Sequence, residues 1–178
     1  MSILFVAGVH GVGKSSCCRH VAERTGFQLL TASTLIKAER ELAIAKHSKA
    51  VLDPAGNQEL LIRGIRNAMK SCHERMILDG HFTLLKADGK IMAIEIEVFV
   101  QLELERIVVF RDDPAAICNR LHERDGQDSS ISTVSVHQDA EIEQGRVVAS
   151  NLGIPIFILN AFDEDGLARA IGLPGVVP

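Results

Sequence analysis

Gly8-Val9-His10-Gly11-Val12-Gly13-Lys14-Ser15 decides how this 178-residue chain is read. The segment matches G-x-x-x-x-G-K-[ST] through Gly8, Gly13, Lys14 and Ser15, with Gly11 as an additional glycine inside it. Ile3-Leu4-Phe5-Val6-Ala7 precedes it as a continuous apolar run, the pattern of a strand buried on both faces. Lys14 to Arg24 follows as a helix with Gly26 at its C-terminal stop. A glycine-rich turn between a buried strand and a helix start gathers unpaired N–H groups and the positive end of the helix dipole, which favours an anion. The glycines let the backbone curl so that N–H groups from Gly8 through Gly11, Val12, Gly13, Lys14, Ser15 and Ser16 surround a phosphate. Lys14 neutralises phosphate oxygens and Ser15 offers an oxygen to Mg²⁺.

Outward from this segment, Phe27 to Leu30 reads as a short strand, and Ser33 as the N-cap of a helix carrying Leu35, Ile36, Leu42 and Ile44. Asp53-Pro54-Ala55-Gly56 is a turn, with Asn57 capping a helix whose Leu61, Ile65, Ala68, Met69 and Cys72 share one face. Met76-Ile77-Leu78 is a strand ending in Asp79, and the Ala87-Asp88-Gly89-Lys90 turn joins two small apolar pieces as a hairpin. Ile107 to Phe110 is a further buried strand, and Asp113-Pro114 caps and opens a helix through Ile117 and Leu121. Asp125 to Ser132 reads as a mobile loop. A long helix near Ser132 to Asn151, a strand from Ile154 to Leu159 and a closing helix from Glu164 to Ile171 complete the chain. Alternating strands and helices predict an α/β fold with five mostly parallel strands flanked by helices on both faces.

Composition narrows the function classes. The net charge of −4 supplies no broad basic field, so direct nucleic-acid binding is not expected. Met1 to Ala7 lacks a basic n-region and a cleavage site, and no stretch has the length of a membrane span, so a cytoplasmic location off the membrane is expected. Cys17, Cys18, Cys72 and Cys118 read as reduced, buried small residues. A metal site from Cys17, Cys18 and His20 is disfavoured, because adjacent helical residues point about 100° apart. The pattern sets no oligomeric state.

Two further groups of residues join the phosphate cradle. Asp79 ends a strand, where a carboxylate holds Mg²⁺ through bound water, and His81 follows two residues later. Arg120 and Arg124 are spaced i and i+4 on one helix beside the polar loop, so both guanidinium groups reach one ligand. GVHGVGKSS at 8–16, ILDGHF at 77–82 and NRLHERDG at 119–126, in that order, resemble the nucleoside monophosphate kinases, specifically the small adenylate kinases with a short lid.

That resemblance implies a P-loop NTPase fold: one kinase-like domain over 1–178, acceptor-binding helices over about 31–74 and a short lid over about 120–135. It implies ATP and Mg²⁺ as cofactors, Lys14 as the phosphate clamp, Ser15 and Asp79 as metal ligands, and Arg120 and Arg124 as lid arginines. It places Lys14, Asp79, His81, Arg120 and Arg124 in catalysis, and Arg120 on the nucleotide as well. The family's D-G-F-P-R is here Asp79-Gly80-His81-Phe82-Thr83, with no arginine for an acceptor phosphate, so Ser33, Lys37 and Arg40 become the acceptor-binding candidates. The expected activity is transfer of the ATP γ-phosphoryl to a nucleoside monophosphate, AMP foremost. The alternatives are a nucleotide-dependent switch or ATPase acting on a protein partner, and a kinase of a non-nucleotide metabolite.

Overall fold

Alternation along β1 (Ile3–Ala7) sends its side chains to both sides of a sheet. Ile3, Phe5 and Ala7 join one apolar cluster, and Leu4 and Val6 join the other. The protein is seen in a computed structural model that describes residues 3–45, 54–71, 75–86, 88–126 and 128–172. α1 (Lys14–Thr25) follows β1, then β2 (Gln28–Thr31), α2 (Ala32–Ala45), α3 (Pro54–Ser71) and β3 (Met76–Asp79). A hairpin of β4 (Thr83–Leu85) and β5 (Ile91–Ala93) leads to α4 (Ile96–Gln101). The chain continues with β6 (Leu104–Arg111), α5 (Pro114–Asp125), α6 (Ile131–Leu152), β7 (Ile156–Asn160) and α7 (Glu164–Ala170).

Five strands pair in parallel in the order β2-β3-β1-β6-β7, so the expected α/β sheet is present. One face carries α1, α5 and α7 through Cys17, Val21, Ile117, Leu121 and Leu167; the other carries α3, α4 and α6 through Leu61, Ile65, Phe99, Ile142 and Val148. Asp79 is in register with Val6 and Thr31, so the C-terminal ends of the central strands lie side by side. The phosphate segment follows β1 and His81 follows β3, both at that edge.

Several boundaries differ from the sequence reading. Ser33 is no cap, because α2 already begins at Ala32. Asn57 is likewise inside α3, which starts at Pro54, and its side chain accepts from Arg40. Proline suits a first helical turn, where its missing N–H costs nothing. Asp53, Cys72, Ala87 and the Ile44 side chain lie outside the described residues. The loop expected over 125–132 is shorter, because Gly126 ends α5 and Ser130 caps α6 by accepting from Thr133 N. Asp113 caps α5 as expected, accepting from Ala116 N. α4 was not anticipated: six residues hold too few turns for a helical period to declare itself.

Gly145 lets α6 lie close on the sheet, since a Cβ there would stand 3.1 Å from both Phe82 and Val109 and 3.3 Å from Ile156. Gly145→Leu should therefore overpack this contact and cost roughly 1–3 kcal/mol. Thermal unfolding is the check; a midpoint equal to that of the wild type would show that α6 lifts off the sheet at no cost.

Candidate phosphate-transfer site

The loop after β1 is shaped by glycine. Gly8, Gly11 and Gly13 have φ of 145°, 77° and 100°, values that other residues adopt only under strain. At Gly13 space matters as well, because a Cβ would lie 2.8 Å from the ring of Phe162. α1 then starts at Lys14, leaving the first N–H groups of the helix at the loop.

Lys14, Ser15, Asp79 and His81 converge. Lys14 Nζ lies 3.2 Å from Asp79 Oδ1 and 3.5 Å from His81 Nε2, while Ser15 Oγ donates to Asp79 Oδ2 at 2.5 Å. The Lys14 and Asp79 side chains are only 7% and 5% exposed, so the pair is shielded from screening by salt. Ser15 and Asp79 present a hydroxyl and a carboxylate side by side, the hard oxygen ligands that suit Mg²⁺. An open cleft of about 420 Å³ beside them is lined by His10, Gly13, Ser16, Arg120, Arg124 and Phe162, among others.

The two arginines differ. Arg120 is fixed, its Nε donating to the carbonyl of Gly11 at 2.7 Å and its Nη2 to Asp112 at 2.5 Å, with the guanidinium 5.4 Å from the centre of the Phe162 ring. Gln138 holds Asp112 in turn, accepting from its N–H at 2.9 Å and donating to its carbonyl at 3.0 Å. Arg124 lines the same cleft but is exposed and paired with Asp125, whose hydrogen bonds raise its pKa. Of the acceptor-binding candidates, Ser33 lines a separate cavity of about 170 Å³ between α2, α3 and His81. Lys37 is exposed and Arg40 donates to Asn57; neither lines that cavity.

Glu141 was missed by the sequence reading. Its carboxylate is fully buried and accepts from Gly8 N at 3.3 Å, Phe82 N at 2.9 Å, Thr83 N at 2.8 Å and Thr83 Oγ1 at 2.5 Å, with His81 Nδ1 3.7 Å away. One side chain thus ties the phosphate loop, the segment after β3 and α6 together. Its signal is visible in retrospect: Val134, His137, Gln138, Glu141, Ile142, Gly145 and Val148 follow the buried face of α6, so three polar residues stand where apolar ones are the rule. Phe162 was missed too; it is exposed, holds a φ of 63° and forms a wall of the cleft.

His10 stacks on His81 with ring centres 4.5 Å apart. Withdrawal from water, then the positive charges of His81, Lys14, His137 and Arg124, push its pKa down to about 4. Cys17 is buried and its thiol pushed up to about 12 by burial and by Glu164 and Asp163, so it is a packing residue. Among the described residues no group of three or more His, Cys, Asp or Glu side chains could hold a metal ion, and no helix is long and apolar enough to cross a membrane.

Burial by itself would raise the Glu141 pKa, but hydrogen bonds and charge from His81, with those from Thr83 and Phe82, outweigh it and leave the pKa lowered. A carboxylate with a lowered folded-state pKa contributes stability that is complete above its unfolded value, here 4.5, and is lost as pH falls through the folded value. Glu141→Gln should lower stability at pH 7 by about 2–4 kcal/mol, since the amide cannot accept all these bonds. The gap between the two proteins should narrow below pH 4.5, and urea unfolding at several pH values measures it. A gap that is constant with pH would show that Glu141 is not held as a carboxylate.

Comparison with known proteins places this geometry. No curated protein matches the sequence. A gluconokinase from Sinorhizobium meliloti 1021 has a TM-score of 0.53 at 18% identity, over 94% of this chain and 92% of its own. A shikimate kinase from Bacteroides thetaiotaomicron has a TM-score of 0.55 at 16% identity, over 97% and 99%. The Deinococcus radiodurans tunicamycin resistance protein has a TM-score of 0.65 at 16% identity, over 99% of each chain. At such identities the likeness is one of fold alone. Residues 7–137 match the family AAA_17, described as an AAA domain, and on that match over most of its length the chain belongs to this family.

Proposed function

We propose that the protein is an ATP-dependent kinase whose acceptor is a small, non-nucleotide metabolite. One observation carries this reading. His81, 3.5 Å from Lys14, also lines the cavity between α2 and α3, and none of the described residues lining that cavity is a lysine or arginine. A nucleoside monophosphate brings a dianionic phosphate that needs such a partner. AMP, the foremost acceptor on the sequence reading, therefore has little to hold it there. The fold shared with proteins named gluconokinase and shikimate kinase supports the same choice.

In this reading the donor phosphates lie along Gly8 to Ser16, with Lys14 turning from Asp79 to their oxygens. Ser15 and Asp79 hold Mg²⁺, which when bound neutralises charge on the phosphate oxygens. Arg120 and Phe162 wall the side of the cleft where the base rests. The acceptor hydroxyl approaches from the His81 side: its oxygen bonds the γ-phosphorus, the bond to the β–γ bridging oxygen breaks, ADP leaves and the hydroxyl proton passes to His81. Catalysis is then mainly positioning and charge stabilisation. Residues 1–178 act as one kinase domain, with 120–135 as a short lid that brings Arg124 inward.

A panel of sugars, alcohols, hydroxy acids and nucleoside monophosphates, assayed for ADP release with Mg-ATP, tests the reading. At least one non-nucleotide acceptor should stimulate turnover, and Lys14→Ala should reduce it about a hundredfold or more. Hydrolysis that no acceptor stimulates would favour the partner-acting ATPase, and stimulation by AMP alone would overturn the choice of acceptor.

The arginines should separate kinetically. Arg120 touches the loop without ligand, so Arg120→Ala should weaken ATP binding as well as kcat. Arg124 has no bond to the loop and should act in the closed state, so Arg124→Ala should lower kcat while leaving ATP affinity within about threefold of wild type. Isothermal titration beside steady-state kinetics measures both, and equal loss of ATP affinity in the two variants would contradict the distinction.

A further inference from the structure

The cavity beside His81 also restricts what kind of acceptor can enter. Its walls are Phe5, Ile36, Leu61, Leu84, Ile94 and Phe99, and its floor is firm, because Phe5 packs edge to face on Phe82 and Phe99, which are tilted against each other, with ring centres 4.8–5.4 Å apart. Among the described residues, polar side chains reach it only from Ser33, Asn57, Gln58 and His81, and the Asn57 carbonyl oxygen accepts from Arg40. No lysine, arginine, aspartate or glutamate side chain lines it among the described residues.

Volume and chemistry agree on the occupant. The cavity measures about 170 Å³, and an apolar cavity of about 150 Å³ holds one benzene ring. A sugar or polyol of that size would carry several hydroxyl groups into a space where only Ser33, Asn57, Gln58 and His81, among the described lining residues, offer partners, and each unmatched group opposes binding. A carboxylated acceptor would meet no lysine or arginine among the described residues that line it. A six-membered apolar ring bearing one hydroxyl avoids both costs, for its ring fills the cavity and its hydroxyl emerges at His81, the only lining residue within reach of Lys14 Nζ.

We infer that the cavity between α2, α3 and β4 is a subsite for an uncharged alcohol carrying one apolar six-membered ring, aromatic or alicyclic. This deepens the metabolite-kinase reading and rests on it for the fate of the hydroxyl, although the binding itself does not require turnover.

Methyl-labelled protein, followed by ¹³C NMR at Ile36, Leu61, Leu84, Ile94 and Val98, tests the subsite directly. Benzyl alcohol and cyclohexanol should shift these methyl signals saturably. Glycerol, D-gluconate and AMP should bind there at least tenfold more weakly. Ser33→Phe, made at an exposed position of α2 that lines the cavity, should fill it and abolish the shifts without a burden on the core. Leu61→Trp is the second filling variant, from α3. No saturable shift with either ring alcohol, tighter binding of glycerol, gluconate or AMP at these methyls, or shifts that survive both variants would overturn the inference. Turnover read in parallel separates the two ideas. Acceptor-stimulated kinase activity that both filling variants leave intact removes the subsite and keeps the kinase, whereas ring-alcohol binding without turnover on any acceptor keeps the subsite and removes the kinase.

Discussion

The site depends on one buried carboxylate. Glu141 is held 133 residues from Gly8 and 58 from Thr83 in sequence, yet accepts hydrogen bonds from both. An unpaired charge in such a place would be prohibitive, so the four donors around it are as necessary to Glu141 as it is to them. The result is a cross-link of backbone to backbone through a side chain. The loop after β1 and the segment after β3 belong to neighbouring strands and would otherwise be free to move apart beyond the last bond of the sheet. α6, anchored on the sheet through Gly145, fixes where that cross-link stands.

From this anchor the chemistry is arranged in layers along α6. One turn before Glu141, Gln138 grips the backbone of Asp112, Asp112 grips Arg120, and Arg120 reaches the carbonyl of Gly11. The phosphate loop is thus supported from both ends by the same helix, at Gly8 directly and at Gly11 through two intermediates. Such support for a glycine-rich segment is physically sensible, because glycine loses more conformational freedom on ordering than any other residue. Rigid surroundings let the loop hold its N–H groups in place without side chains of its own.

How much of this was legible varied with the range of the interaction. The phosphate loop is a local pattern, and strand, turn, lysine and hydroxyl follow one another along the chain, so Gly8 to Ser15 were read correctly in place. Asp79 was legible because a carboxylate closing an apolar run marks a strand end. Glu141 was not, since on a helix that also carries Asp139 and Glu143 a glutamate among serines and glutamines reads as part of a solvated face; only its register with Val134 and Val148 distinguishes it. Ser33, Lys37 and Arg40 were chosen from their place on α2, but which of them faces inward depends on how α2 lies against α3, as at Gly64 against Leu35, and that is a tertiary fact. Phe162 carries no sequence signal, being one aromatic residue in a short connection after β7.

The contact between Lys14 and Asp79 bears on how the protein handles its ligand over time. The lysine of the loop already has a counter-ion in Asp79. On the proposed function, an incoming triphosphate would compete with Asp79 for the same ammonium group, so part of the attraction between them would be cancelled by the contact given up. On that reading the same exchange would run in reverse after transfer, with Asp79 recapturing Lys14 as the diphosphate leaves. An internal counter-ion of this kind trades tightness of grip for ease of escape, a useful bargain where a site must empty before it can fill again.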